Sequence, residues 1–209
     1  MHANKRGSST VYWLGDSIYL NITNRCSNSC YFCLRKFKTG IKEFNLKLEK
    51  EPTREEVIKE LQKVIRRNNW SEVVFCGFGE PLERLDLVLE LSRWFKKHCL
   101  KTIRVDTNGH GYLLNKGKDV VRELKEAGVN KISISLNAHN KETYNQICNP
   151  VFENAFENVL KFIKSAKEEG METEVTAVTI PEVEITKVKE LAERMGVKFT
   201  ARQHIPFFW

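Results

Sequence analysis

The sequence predicts an α/β fold in which six strand–helix units form an open partial (βα)6 barrel, and three observations support this. Strand-like and helix-like segments alternate six times along the chain, a pattern that calls for a parallel sheet with right-handed crossovers. The chain has 209 residues, whereas a closed barrel of eight units typically needs about 250. Polar motifs follow several strands, as expected where the loops at one rim carry the chemistry.

The predicted strands are short runs rich in β-branched and aromatic residues. They cover residues 17–23, 73–76, 103–106, 132–136, 172–180 and 197–201. We therefore expect an N-terminal tail over residues 1–16 and a single domain over residues 17–209. The apolar end of the chain, residues 205–209, is expected to plug the bottom of the barrel.

The helices between these strands are predicted from apolar residues at helical spacing and from their end signals. Pro52 and Thr53 open the first helix, whose first turn holds acidic residues that suit a positive helix terminus. Gly128 is expected to end a helix over residues 116–127. A helical region over residues 141–169 is expected to break near Asn149 and Pro150.

The composition, 41% hydrophobic and 29% charged residues, is typical of a soluble globular protein. No secretory signal and no run of about 18 apolar residues is recognisable, so we expect no membrane partner. Six cysteines without an export signal indicate the reducing cytoplasm, and Cys76, Cys99 and Cys148 are interpreted as isolated buried thiols. The net charge of +7 allows an anionic partner without requiring one.

Three cysteines, Cys26, Cys30 and Cys33, follow the first predicted strand in a polar loop. Three convergent thiolates suit an iron–sulfur cluster, which usually takes four cysteine ligands. No fourth cysteine is near in sequence, so a cubane held here would leave one iron open to a substrate or cofactor. A structural zinc site usually uses a second cysteine pair, and disulfide scaffolds belong to small secreted chains. The spacing therefore favours an iron–sulfur cluster.

This C-x3-C-x2-C spacing, with Phe32 before the last cysteine, resembles that of the radical S-adenosylmethionine (SAM) superfamily. The resemblance implies a radical SAM type of partial barrel and a [4Fe–4S] cluster whose open iron chelates the methionine part of SAM. It also implies an external one-electron reductant of the flavodoxin or ferredoxin type. One electron would cleave SAM to methionine and a 5′-deoxyadenosyl radical, which abstracts hydrogen from a substrate.

The same resemblance suggests which residues contact SAM. Residues 77–81 resemble the Gly-Gly-Glu motif that binds the amino group of SAM, and the ends of the third and fourth strands match segments near its carboxylate and ribose. Phe32 matches an aromatic position on the adenine, and Val178 would also lie there, although strand packing explains it equally well. The contacts implied are Phe32, Gly77, Gly79, Glu80, Thr107, Asn108, Ser135 and Asn137.

In detail the chain looks most like the small radical SAM proteins linked to the TatD nuclease family. The matching segments are residues 21–26, 49–53, 75–81 and 107–110. Two other small-barrel groups stay open as alternatives, the glycyl-radical-enzyme activases and the 7-carboxy-7-deazaguanine synthases. A non-enzymatic iron–sulfur electron-transfer protein is a further alternative, although it would ordinarily have four cysteine ligands.

A basic segment, residues 35–50, follows the cysteines and is named the basic lid below. It interleaves aromatic residues with the cations Arg35, Lys36, Lys38, Lys42, Lys47 and Lys50. We expect it to face a bulky peptide or a nucleic-acid-related substrate across the open side of the barrel, with an ordinary solvated loop as the alternative. Cys148 could approach the same mouth or serve only in packing.

Overall fold

The computed structural model describes residues 7–67, 69–98 and 102–204. Its main sheet has seven strands and lies beside a two-stranded hairpin within the basic lid. The sheet strands are β1 (Val11–Leu14), β2 (Ser17–Leu20), β5 (Glu72–Phe75), β6 (Thr102–Thr107), β7 (Lys131–Ser135), β8 (Glu172–Thr179) and β9 (Lys198–Gln203), and the hairpin strands are β3 (Gly40–Ile41) and β4 (Phe44–Asn45).

The sheet confirms the predicted run of six parallel strands. Its order is β1-β2-β5-β6-β7-β8-β9, and every neighbouring pair from β2 to β9 is parallel. Helices connect successive strands as α1 (Arg54–Val64), α2 (Leu85–His98), α3 (Gly111–Leu114), α4 (Val120–Ala127), α5 (Lys141–Cys148), α6 (Ala155–Glu168) and α7 (Ile185–Met195). None of these helices has the length and apolar character needed to cross a bilayer.

Alternate strand residues divide the sheet into an apolar face and a polar face. In β6, Ile103 and Val105 are buried in the core, and the residues that alternate with them, Arg104 and Asp106, are only partly buried. The core joins this apolar side of the strands to the inward sides of the helices. Because β2 and β5 to β9 are parallel, their carboxyl ends meet at one rim of the sheet. The face of the sheet away from the helices, called the concave face below, carries charged side chains such as Arg104 and Asp106.

Several local signals act as expected. Thr53 and Glu56 form a reciprocal capping box at the start of α1, with Glu56 Oε2 accepting from Thr53 N at 2.8 Å. Gly128 ends α4 in the left-handed conformation with φ of 108°. The predicted helical break is also present, because α5 stops at Cys148 and Asn149 adopts φ of 42° before Pro150.

Three boundary predictions were wrong. Residues 1–16 are not all tail, since β1 pairs antiparallel with β2 and Tyr12 stacks on Tyr19 at 5.0 Å between ring centroids. The predicted helix over residues 116–127 begins only at Val120, because Gly117 has φ of 81° and separates it from α3. The basic lid contains the β3–β4 hairpin rather than loop alone. The predicted plug, residues 205–209, and Cys99 lie outside the described residues.

Candidate active site at the rim of the sheet

The three cysteines lie in a loop after β2, residues 26–33, which is called the cysteine loop below. Backbone hydrogen bonds join this loop to the end of α5. Ser29 N donates to the Cys148 carbonyl at 2.9 Å, and Tyr31 N donates to the Ile147 carbonyl at 3.2 Å. Val151 N donates back to the Ser27 carbonyl at 3.0 Å. Because α5 ends in a left-handed residue, its last carbonyls are available to the loop. The position of the cysteines is thus fixed by a helix more than 100 residues further along the chain.

The thiols of Cys26, Cys30 and Cys33 are free and partly buried. Burial and the nearby charge of Glu80 raise the pKa of Cys26 to about 12. A hydrogen bond with Cys148, together with burial, raises the pKa of Cys30. Iron binds thiolates, so loading a cluster must displace these protons.

The donor set fits a [4Fe–4S] cluster. Within the described part of the chain, no three His, Cys, Asp or Glu side chains converge as the ligands of a single metal ion would. In a cubane each thiolate binds a different iron, so three separated thiols on one loop suit a cluster better than one ion. With three cysteines as ligands, the fourth iron keeps an open coordination position.

A buried chain of hydrogen bonds lies beneath the cysteine loop. Ser27 Oγ is 2.9 Å from His110 Nδ1, and His110 Nε2 is 2.9 Å from Tyr144 Oη. Asn28 Nδ2 donates to Tyr144 Oη at 3.2 Å. Burial lowers the pKa of His110 to about 4, so its imidazole is neutral near pH 7. Sequence reasoning missed this role, because a lone histidine gives no indication of its burial.

Glu80 occupies the centre of the rim between β5 and β6. Its Oε2 accepts from Asn108 N at 2.6 Å, and its Oε1 accepts from Thr107 Oγ1 at 2.8 Å and from Leu82 N at 3.0 Å. Burial raises the pKa of this carboxyl to about 7, although these donors act in the opposite direction. Glu80 therefore ties two strand ends together, and its contact with SAM stays a prediction.

The glycines before Glu80 are explained by close packing within the chain. A Cβ atom on Gly77 would lie 2.2 Å from Asn21 Oδ1, and one on Gly79 would lie 2.3 Å from the Arg25 carbonyl oxygen. Asn21 Oδ1 also accepts from Phe78 N at 2.9 Å. Any larger residue at either position would push this segment away from the cysteine loop. Contact of Gly77 and Gly79 with SAM stays a prediction.

The other predicted SAM contacts fall into two groups. Thr107 and Asn137 already have partners in the chain: Thr107 Oγ1 accepts from Gly109 N at 3.1 Å, and Asn137 Nδ2 lies 3.7 Å from Cys148 Sγ. Asn108 is likewise bonded to the cysteine loop, as described below. Ser135 is different, because it ends β7 partly exposed at the rim.

A cavity of about 570 Å³ lies next to the cysteine loop and brings together the two predicted adenine contacts, Phe32 and Val178. Residues from β9 and the basic lid complete its wall, among them Arg202, Lys38 and Lys42. The wall thus combines two apolar surfaces with three cations. A flat aromatic base and an anionic group would both find matching chemistry there.

The basic lid encloses a second cavity of about 740 Å³. Its lining includes Arg35, Lys36, Lys38, Lys42 and Lys47, with Glu43 as an acidic member. Because Lys38 and Lys42 line both cavities, the two spaces adjoin each other. The basic lid therefore contributes cations to both cavities.

The concave face of the sheet carries charged residues that sequence reasoning missed. Arg104 lies 2.8 Å from Glu72 and 2.9 Å from Asp106, although its Nε is not aligned with Asp106 Oδ1 as a hydrogen bond. Arg202 Nη2 donates to Ser133 Oγ at 3.1 Å across the face. Burial raises the pKa of Asp106 despite both arginines. The sequence did contain a signal for this polar face: Arg104 and Asp106 alternate with apolar residues in β6. Strands of parallel sheets are usually apolar on both faces, so charges within such a strand are unexpected.

Residues 20–195 match the family model of the Radical SAM superfamily. The chain belongs to this superfamily. The cofactors implied by the cysteine spacing, a [4Fe–4S] cluster and SAM, are those that this enzyme superfamily uses. Its members generally need an external reductant.

Among curated proteins, the chain is 33% identical over 156 residues to a probable GTP 3′,8-cyclase of Saccharolobus solfataricus, covering 75% of this chain and 45% of that protein. It is 30% identical over 173 residues to the GTP 3′,8-cyclase of Aquifex aeolicus, covering 83% of this chain and 50% of the relative. The chain therefore spans about half the length of the curated relatives it matches.

Solved structures share the fold at low sequence identity. TYW1 with a bound lysine–pyruvate adduct superposes with a TM-score of 0.64 at 20% identity, covering 92% of this chain and 67% of the other. Methylornithine synthase gives a TM-score of 0.62 at 19% identity, covering 91% of this chain and 53% of the other. These likenesses confirm the partial-barrel architecture.

Proposed function

We propose that this chain cleaves SAM reductively and uses the resulting 5′-deoxyadenosyl radical to abstract hydrogen from a polar substrate. The observation that carries the proposal is the cysteine loop, whose three free thiols lie at the strand rim beside a polar concave face. A [4Fe–4S] cluster on Cys26, Cys30 and Cys33 would supply the electron and the open iron position for SAM. The remaining roles belong to the chain's own side chains.

We propose that SAM binds at the rim, in the cavity next to the cysteines. Phe32 and Val178 offer apolar surfaces for adenine, and Ser135 offers a hydroxyl at the partly exposed end of β7. Glu80 positions the Thr-Asn-Gly turn after β6 by accepting hydrogen bonds from Thr107 Oγ1 and Asn108 N, and it also accepts from Leu82 N. An adenosyl group seated on Phe32 would then lie between the cysteine loop and the concave face.

The substrate proposed is a purine nucleotide. Relatives of this chain are named GTP 3′,8-cyclases, and two features here suit a nucleotide. The basic lid supplies cations for phosphates, and Asp106 on the concave face supplies carboxyl oxygens that can accept from base N–H groups. The TatD-linked assignment rests on the sequence motifs alone and specifies no substrate. The reductant proposed is a flavodoxin or ferredoxin.

The test is an anaerobic assay of the reconstituted chain with SAM, reductant and GTP deuterated on its ribose. We expect GTP to accelerate 5′-deoxyadenosine release and deuterium to appear in that product. Deuterium transfer from a glycine-labelled peptide instead would favour a glycyl-radical-enzyme activase, and transfer from a pterin would favour a deazaguanine synthase. Absence of deuterium transfer from GTP would refute the nucleotide substrate.

The basic lid gives a sharper test of substrate binding. Lys36 donates to the Ser29 carbonyl of the cysteine loop at 3.2 Å, so it is left unchanged, and Lys38 and Lys42 are replaced by glutamate. Losing charge-assisted contacts worth about 1.5–3 kcal/mol should raise the GTP concentration for half-maximal stimulation roughly ten- to hundred-fold. Because Lys38 and Lys42 also line the cavity proposed for SAM, the stimulation is measured at saturating SAM and expressed relative to SAM cleavage without GTP in the same variant.

The matched control carries the same change in net charge on outer helix faces. Lys63→Glu with Lys164→Glu alters side chains that are 52% and 72% exposed and should leave GTP stimulation unchanged. If both double variants needed the same higher GTP concentration for half-maximal stimulation, net charge and not the position of the lysines would determine GTP binding. An unchanged response of the lid variant would remove the basic lid from substrate binding.

A further inference from the structure

The side chain of Asn108 has a defined orientation. Its Oδ1 accepts from His110 N at 2.9 Å, so the amide nitrogen must point the other way. That nitrogen lies 3.0 Å from Ser27 Oγ and 3.8 Å from Cys26 Sγ. The amide N–H groups therefore face the first cysteine of the loop, and not only the space where the family resemblance places SAM.

Buried neighbours hold this orientation in place. Asn108, Ser27 and His110 are 7%, 3% and 0% exposed, so water does not compete effectively for their polar atoms. Ser27 Oγ also contacts His110 Nδ1, and the far side of that ring is bonded to Tyr144. Rotating the amide would break the bond to His110 N and turn a carbonyl oxygen toward the Cys26 sulfur. Both changes leave buried polar groups poorly matched.

We propose that Asn108 donates an N–H···S hydrogen bond to the Cys26 thiolate and so raises the reduction potential of the cluster. Ser27, His110 and Tyr144 act as positioning residues for this donor. The inference rests on the proposed function, because it presupposes a cluster on Cys26. Reduction adds negative charge to the cluster and its sulfurs, and an N–H dipole aimed at one of them stabilises that reduced state. A higher potential brings the cluster nearer to the range of a flavodoxin or ferredoxin.

The test measures the potential without SAM, so that loss of a SAM contact cannot explain the result. Asn108→Leu keeps the approximate volume of the side chain and removes the donor. Its reconstituted [4Fe–4S] cluster is titrated anaerobically and followed by electron paramagnetic resonance beside the wild type. Ser135→Ala, a change at a predicted SAM contact on another strand, is the matched control.

We expect Asn108→Leu to load as much iron as the wild type but to titrate at a more negative potential, with Ser135→Ala unchanged. The release of 5′-deoxyadenosine by Asn108→Leu should fall with a flavodoxin as reductant and recover with titanium(III) citrate, a stronger reductant. Tyr144→Phe should shift the potential in the same direction by less.

A fully loaded Asn108→Leu chain with the wild-type potential would overturn this inference alone. Should the leucine variant not load, Asn108→Asp keeps the acceptor for His110 N and is titrated instead, again with a more negative potential expected. Failure of both to load iron would show that Asn108 builds the loop rather than tunes the cluster, which also overturns the inference. A wild-type chain that binds no iron would overturn the proposed function as well.

Discussion

Replacing Cys30 by alanine is expected to abolish the cluster and, with it, SAM cleavage. The wild type should bind about four irons per chain after anaerobic reconstitution, and the variant close to none. Two remaining thiolates cannot anchor a cubane whose fourth iron already lacks a protein ligand. Iron analysis and the absorbance of the cluster measure the effect directly.

Two neighbouring cysteines sharpen this prediction. Cys76 lies at the end of β5 outside the cysteine loop, so Cys76→Ser should keep full iron. Cys148 is buried in hydrogen-bonding contact with Cys30 and is the one thiol placed to substitute for it among the described residues. Residual iron in Cys30→Ala that disappears in Cys30→Ala/Cys148→Ala would identify such a substitution. Full iron in both variants would remove Cys30 from the ligand set.

Replacing Glu80 by glutamine is expected to lower the free energy of unfolding by about 1–3 kcal/mol and to weaken SAM binding. The carboxylate accepts from three donors, two on one oxygen and one on the other. In glutamine one of these oxygens becomes an NH2 group, which then faces a buried donor. Denaturant unfolding and SAM calorimetry measure the two effects, with the exposed Glu90→Gln as control. At about pH 5, where this contribution is present, wild-type stability in Glu80→Gln would contradict the role of Glu80 in joining the ends of β5 and β6.

The stability difference between the wild type and Glu80→Gln is also expected to depend on pH. Burial raises the pKa of Glu80 from 4.5 to about 7, so the folded chain favours its protonated form. The resulting stabilisation is fully present below pH 4.5 and is lost as the pH rises through 7. The free energy of unfolding of the wild type, relative to that of Glu80→Gln, should therefore fall as the pH rises from 4.5 to about 7. The other titrating groups are the same in both proteins, so their contributions cancel in this difference. A difference that grows with pH would contradict the burial of this carboxyl.

Local patterns were enough to predict the parallel sheet. Most of the parallel strands are short segments rich in β-branched and aromatic residues, and the chain places helices between them in strict alternation. The edge strand β1 was missed because its four residues precede the tight turn at Gly15 and lie next to a polar N-terminal segment. Its pairing depends on the neighbouring strand and not on any signal of its own.

The cysteine loop was predictable because its three cysteines are close in sequence, whereas the residues that hold the loop in place were not predictable. His110 reaches Ser27 across 83 positions, and Arg202 reaches Ser133 across 69. Such contacts follow from strand order and register, which the sequence alone does not specify. Glu80 was correctly placed at the rim, but the donors that surround it come from the next strand.

The central claim is that this chain, loaded with its cluster, cleaves SAM by one-electron reduction. The most direct measurement is the release of methionine and 5′-deoxyadenosine from SAM by the reconstituted wild type, under anaerobic conditions with titanium(III) citrate. We predict equal amounts of the two products, dependent on reductant and absent from Cys30→Ala. A wild-type chain with a complete cluster that releases no 5′-deoxyadenosine would contradict the account and would instead favour an iron–sulfur protein that only transfers electrons.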